Sequence, residues 1–174
     1  MKKVLLILMI GMFSYAKPIT LPDNFKANFT QKITNPKNKT INYGGKIQFS
    51  NKTKLKWIYT KPTKKEVCTN GKELTVVDHD LEQVSNYLLI NKGFNFTKIV
   101  KNAKFYKKNI YVAKNENTSY TIQLNNSKLH SIAYFDELDN KVQIVFKNVK
   151  YGKGDLDKKS MICKVPKDYD MIRG

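Results

Sequence analysis

Through most of the chain beyond residue 24, apolar and polar positions alternate with a period of two. Phe25, Ala27, Phe29 and Gln31 are interleaved with Lys26, Asn28, Thr30 and Lys32. Ile47 and Phe49 repeat the pattern, as do Leu55, Trp57 and Tyr59, until Pro62 breaks it. This is the period of a strand with one buried face. Residues 66–78 read as a hairpin, two β-rich runs around the turn pair Asn70-Gly71. Four more alternating runs follow, over 105–115, 118–126, 129–137 and 141–149, with turns at Asn125-Asn126 and Asp139-Asn140. Short strands joined by tight turns predict an antiparallel meander.

The period changes once, after residue 80. Leu81, Val84 and Leu88, with Tyr87 beside them, fall on one face of a helix, and Asp80 with Gln83 three residues later resembles a capping box. The pattern predicts a helix over about 80–90, ended by Asn91-Lys92-Gly93, and a second short helix in the run FNFTKIV. The fold class is mainly β with a few helices. Periodicity leaves two outcomes for the apolar sheet face. It is filled as a plain core, or a curved sheet and its helix enclose a cavity for an apolar ligand.

The first sixteen residues stand apart. Lys2 and Lys3 precede an apolar run from Val4 to Phe13, and Ser14-Tyr15-Ala16 supplies small residues for cleavage. This reads as a secretory signal peptide over 1–16, followed by one exported domain over 17–174. No Cys follows Ala16 to carry a lipid anchor. The net charge is +18; joint enrichment in Lys and Asn reads first as a compositional bias of the genome, with anionic partners such as a membrane surface as the alternative. Yet Arg173 is the only arginine among 32 basic residues, and base readout favours arginine; nucleic acid is not expected. In an oxidising compartment the two cysteines, Cys68 and Cys163, suit a disulfide, with two buried thiols as the alternative.

Few residues suggest covalent chemistry. Asp78-His79-Asp80 could hold a metal or serve acid/base work, but consecutive side chains seldom converge, and Asp80 suits a helix start. Asp155 and Asp157 lack the spacing of a calcium loop. Neither a glycine-rich phosphate loop nor a nucleophile–base pair can be read. The expectation is a protein that is not an enzyme and uses no metal or cofactor.

Five stretches in order resemble the LolA family of periplasmic outer-membrane lipoprotein carriers. They are Phe25-Lys26-Ala27-Asn28-Phe29-Thr30-Gln31, Gly45-Lys46-Ile47-Gln48-Phe49, Trp57-Ile58-Tyr59-Thr60-Lys61-Pro62, the run from Gly71 to Leu74, and Asp78-His79-Asp80-Leu81-Glu82-Gln83-Val84. The resemblance implies an incomplete, unclosed antiparallel β-barrel with a helical lid over a hydrophobic cavity. It implies acyl chains of lipoproteins as cargo, collected from an inner-membrane ABC transporter and delivered to an outer-membrane acceptor. On this reading Ile47, Phe49, Leu55, Trp57, Tyr59, Leu74 and Val76 line the cavity from the early strands. Ile122, Leu124, Ile132, Tyr134, Ile144 and Phe146 line it from the later ones, and Leu81, Val84 and Leu88 form the lid face.

Two departures from the family pattern stand out. Only a short segment separates Lys17 from Phe25, where the family has a helix, and Asn51-Lys52 stands where many members have Arg-Pro, leaving lid contact to Asn51 or Lys52. A monomer is expected. The rivals are a sensor domain for lipids or lipoproteins on the same scaffold and a basic polyanion binder in the periplasm.

Overall fold

The computed structural model describes residues 18–51, 53–89 and 96–173. The proposed signal peptide and Lys52 lie outside them. The described strands are β1 (Asn24–Thr34), β2 (Thr40–Ser50), β3 (Lys54–Lys61), β4 (Lys65–Thr69), β5 (Glu73–Asp78), β6 (Gln83–Leu88), β7 (Lys104–Lys107), β8 (Ile110–Asn115), β9 (Thr118–Asn125), β10 (Lys128–Phe135), β11 (Lys141–Gly152) and β12 (Asp170–Arg173). One α-helix, α1 (Phe96–Lys101), follows β6, and a 3-10 turn, Lys158–Met161, follows β11.

All twelve strands form a single sheet in the order β12-β6-β5-β4-β3-β2-β1-β11-β10-β9-β8-β7. Its two ends, β12 and β7, do not pair with each other, so the sheet is open. Neighbours are antiparallel except β12, which runs parallel to β6. The long strands β1 and β11, of 11 and 12 residues, pair near its middle. There the N-terminal hairpin meets the C-terminal meander, and the early and late apolar faces become one.

Register makes that face continuous. Phe25 pairs with Phe49, which pairs with Leu55, Thr69 and then Leu74 across β2 to β5. In the other direction Phe29 pairs with Phe146, Gln31 with Ile144, Ile144 with Ile132, and Ile132 with Ile122. Side chains directly opposite each other share a face, so these residues all point one way. They are mostly buried, while Lys26, Asn28, Thr30 and Lys32 on the other face of β1 are exposed or nearly so.

Gly45 shows how tightly the backbone is drawn in. A Cβ there would lie 1.9 Å from the Ile58 carbonyl oxygen, at the irregularity where β2 meets β3. Only glycine permits that approach.

Over 80–89 the structure differs from the expected helix, whose expected end at Asn91-Lys92-Gly93 lies outside the described residues. Residues 83–88 form β6, with Val77 opposite Val84 and Leu74 opposite Tyr87. Three causes combine. Val84, Ser85, Asn86 and Tyr87 favour a helix weakly. The spacing of Val84 and Leu88 fits a period of two as well as 3.6. Finally, Glu82 adopts a left-handed φ of 55°, which closes a turn from β5 into β6. Asp80 caps no helix. Its Oδ2 accepts the backbone N–H of Lys64 at 3.0 Å, while Asp78 Oδ1 accepts those of Asp80 and Leu81 at 3.2 Å each.

Beyond β11 the chain crosses the outer face of β3 to β6 as a strap. Cys68 and Cys163 are joined by a disulfide. Beside it Lys56 Nζ lies 2.9 Å from Glu66 Oε2 and donates to the Ile162 carbonyl at 2.7 Å. Glu66 Oε2 also accepts the Lys164 N–H at 3.0 Å. This is a paired and hydrogen-bonded buried charge, the form in which the interior tolerates one.

Candidate functional site

The inner face of the sheet carries the candidate site. It begins with aromatic residues that the alternation of β1, β2 and β3 directs inward. Phe25 and Phe49 stack at 5.3 Å. Phe29 meets Trp57 edge-on at 4.7 Å and Tyr59 at 5.1 Å. Trp57 reaches Phe146 across the sheet at 6.2 Å. Helix α1 drops Phe96 onto this group, 5.6 Å from Phe25 and 5.4 Å from Phe49, with Ile99 and Val100 buried beside it.

Next to the aromatic cluster lies a cavity of about 250 Å³. Leu55, Trp57, Tyr59, Leu74, Tyr134 and Ile144 line it, together with Gln31, Val67, Thr69 and Leu89. No formal charge projects from this lining. The Tyr59 hydroxyl donates to Gln31 Oε1 at 3.2 Å. Burial pushes the Tyr59 phenol well above its ordinary range, with smaller contributions from Tyr134 and Tyr43. Burial, then Tyr120 and Asp136, pushes Tyr134 up to about 12. Both phenols are therefore neutral at physiological pH, and the hollow is an uncharged, aromatic-walled space.

Six residues expected at the cavity, Leu55, Trp57, Tyr59, Leu74, Tyr134 and Ile144, line it. Ile47, Phe49, Ile122, Ile132 and Phe146 lie on the same face but are closed into the core around it, with Leu124 packed against them. Val76, opposite Val67, shares that face.

The expected lid residues are placed otherwise. Leu81 sits in the β5–β6 turn, 64% exposed; Leu88, opposite Glu73, is 69% exposed on the outer face. Val84 is fully buried, but opposite Val77, and so on the side away from the cavity. None of the three can close the hollow, because the strand turns Val84 and Leu88 together to the outer face and Leu81 lies in the turn before it. Asn51 is exposed in the β2–β3 turn, its N–H bonded to the Asp23 carbonyl at 3.2 Å. No lid contact is recorded for it among the described residues.

Phe25, Phe29 and Val67 also belong to this face, as do Phe96, Ile99 and Val100 of α1. The first two were legible in the alternation of β1. The helix signal was legible in FNFTKIV, but its apolar residues could be assigned to the inner face only once the sheet order was known.

Metal chemistry finds little footing. Among the described residues, Glu66, Cys68 and Cys163 cluster closely enough to share an ion, but both sulfurs belong to the disulfide. His79 lies 3.9 Å from Glu66 Oε1, and its Nδ1 is 3.2 Å from the Tyr169 hydroxyl, in the contact that fastens the strap. A second hollow of about 440 Å³ lies under the strap and has Lys54, Glu73 and Lys158 in its walls. It is more polar and more open to charge than the inner cavity.

An open, largely antiparallel sheet whose inner face is rich in aromatic residues and holds a hollow with an uncharged lining suits a holder of apolar ligands. Sequence comparison makes the class specific. A family model for the outer membrane lipoprotein carrier protein LolA matches residues 22–97. The outer-membrane lipoprotein carrier protein of Campylobacter jejuni is 40% identical over 152 residues, covering 87% of this chain and 87% of that protein. That of Helicobacter hepaticus is 31% identical over 137 residues, covering 78% and 76%. The chain belongs to the LolA family of outer membrane lipoprotein carriers. At the level of fold, an uncharacterized conserved protein from Thermus thermophilus superposes with a TM-score of 0.55 at 10% identity, covering 88% of this chain and 92% of that one.

Proposed function

We infer that this protein carries lipoproteins between membranes, holding their acyl chains against the inner face of its sheet. Family membership supports the role, and the observation that carries the mechanism is the uncharged aromatic hollow bounded by Trp57, Tyr59, Leu74 and Tyr134. Each acyl methylene withdrawn from water contributes roughly 0.8 kcal/mol. A multiply acylated protein therefore cannot cross an aqueous space unless something covers its chains. Contacts to aromatic and branched side chains are non-directional, so they hold chains of varied length and release them without breaking specific bonds.

Size sets the mechanism. A pocket that encloses a drug-sized ligand holds about 300–1,000 Å³, so the hollow of about 250 Å³ is too small for several long chains. Cargo must displace something already packed on the face. Helix α1 is the element best suited to yield. Its described residues span Phe96–Lys101, a length too short to be stable alone, and Phe96, Ile99 and Val100 pack its apolar side against the sheet. Withdrawing α1 would join the hollow to the surface around Phe25 and Phe49. The lid role expected of residues 81–88 passes to α1 on this reading.

The proposal extends to the setting. The chain works in the periplasm after removal of residues 1–16, as a monomer, taking cargo from an inner-membrane ABC transporter and giving it to an outer-membrane acceptor. Catalysis and cofactors have no part in it. Mass spectrometry of the protein isolated from periplasm tests the role: co-purified lipoprotein is the expected result, and acyl-free protein from cells making lipoproteins would oppose it. Ionic strength separates this reading from polyanion binding, which weakens steeply with salt.

A further inference from the structure

The hairpin of β7 and β8 has features that acyl holding does not explain. Lys104 to Asn109 form an unbroken run of exposed residues, KFYKKN, at the free edge of the sheet. Phe105 is 51% exposed and Tyr106 is 67% exposed. Adjacent exposed aromatics on an edge strand are a liability in water unless something covers them. Lys101, Lys104, Lys107 and Lys108 surround them, all exposed. Lys107 Nζ lies 5.8 Å from the Tyr106 ring centroid. The stretch from Gln83 to Asn115 contains no Asp or Glu, although the chain has 14 elsewhere.

Aromatic rings set among lysines match the two layers of a bilayer surface. The rings suit the headgroup boundary, and the ammonium groups suit anionic phosphates. A purely electrostatic surface would not need Phe105 and Tyr106. A purely apolar docking surface would not need four lysines. We propose that the β7–β8 hairpin is a membrane-surface anchor that recognises a bilayer containing anionic phospholipid, using Phe105 and Tyr106 as interfacial rings and Lys101, Lys104, Lys107 and Lys108 as headgroup contacts.

The anchor lies next to the carrier site. Phe105 packs edge-on against Tyr111 at 5.8 Å, and Tyr111 belongs to the core cluster of the inner face. Only Asn102 and Ala103 separate α1 from β7. A hairpin seated on a bilayer would thus bring the plugging helix to the lipid from which cargo emerges. This last step rests on the carrier reading; the anchor itself does not.

Vesicle sedimentation of the full mature chain tests it, with phosphatidylcholine alone and with phosphatidylcholine mixed with phosphatidylglycerol. The wild type is expected to bind the mixed vesicles and not the neutral ones, and binding should weaken with salt. Lys107→Gln/Lys108→Gln should lower binding roughly 30-fold, and Phe105→Ser/Tyr106→Ser should abolish it at low salt. A control, Lys26→Gln/Lys147→Gln, removes the same charge from exposed positions on β1 and β11, opposite the inner face, and should change it far less. Equal loss in the control and the Lys107/Lys108 variant would show that net charge alone acts, and would overturn the proposal. So would wild-type binding unaffected by Phe105→Ser/Tyr106→Ser, or no binding to either vesicle. Capture of a soluble acylated peptide by Phe105→Ser/Tyr106→Ser should match the wild type. Its loss would mark a damaged carrier fold, and Tyr106→Trp, quenched by brominated phosphatidylglycerol vesicles if the hairpin inserts and unquenched if it does not, then decides the matter.

Discussion

Phe96 rests on Phe49 with ring centroids 5.4 Å apart, a contact that helps pin the only α-helix among the described residues to the inner face of the sheet. Phe25 completes the trio from the neighbouring strand. Truncating Phe96 removes the pin without touching the cavity walls. Phe96→Ala should lower stability by about 3–5 kcal/mol if the helix stays and leaves a void. If α1 is the movable plug, the loss should be smaller and uptake of an apolar dye should rise. Denaturant unfolding and dye titration on the same variant separate the two.

Leu88 offers the opposite test. At 69% exposed and facing away from the hollow, it should tolerate Leu88→Glu within about 0.5 kcal/mol. Capture of acylated peptide should be unchanged. Loss of capture at unchanged stability would return the lid to β6.

The strap should stabilise mainly through its disulfide and its buried ion pair. Native protein without reductant should resist alkylation at both Cys68 and Cys163. Cys163→Ser should cost about 2–4 kcal/mol. Lys56→Ala leaves the buried Glu66 without its ammonium partner, beside the Lys164 N–H and His79, and should cost about 3–5 kcal/mol. Thermal unfolding reads both.

Asp78 should make the β5–β6 turn sensitive to acid. Burial acts to raise its carboxyl, but the Lys65 ammonium at 3.0 Å and the N–H groups of Leu81 and Asp80 outweigh it and hold it below the ordinary value of 3.8. A depressed folded-state value stabilises the fold above 3.8 and loses that contribution as pH falls through the lowered value. Asp78→Asn should therefore be less stable than wild type at neutral pH, with the gap closing in strong acid. A gap constant with pH would exclude the charge as its cause.

Much of this was legible in the chain. Alternation at Ile47, Phe49, Leu55, Trp57 and Tyr59 set the inward side of β2 and β3, because a buried face tolerates no shift of register. The same logic placed Ile122, Ile132, Ile144 and Phe146. It failed at Leu81, Val84 and Leu88, whose spacing suits a helix face and nearly suits a strand. What decided the matter was distant in sequence: Met171 pairs beside Val84, and the strap covers the outer face that Val84 fills. Such partners supply the burial that local propensity lacks, and no window around residue 84 contains them. The site inherited the same error, since the lid was sought on the element that periodicity favoured.

Trp57 provides the most direct measurement. It is the only tryptophan, and it forms a wall of the inner hollow. A peptide bearing a fatty acyl chain with a nitroxide quencher should bind saturably and quench Trp57 emission on contact. The same peptide without the chain should do neither. Leu74→Asp, which puts an unpaired charge in the lining of the same hollow, should weaken the quenching sharply while the protein remains folded by circular dichroism. Saturable binding of the acylated peptide with Trp57 unquenched would place the chains elsewhere and contradict the account.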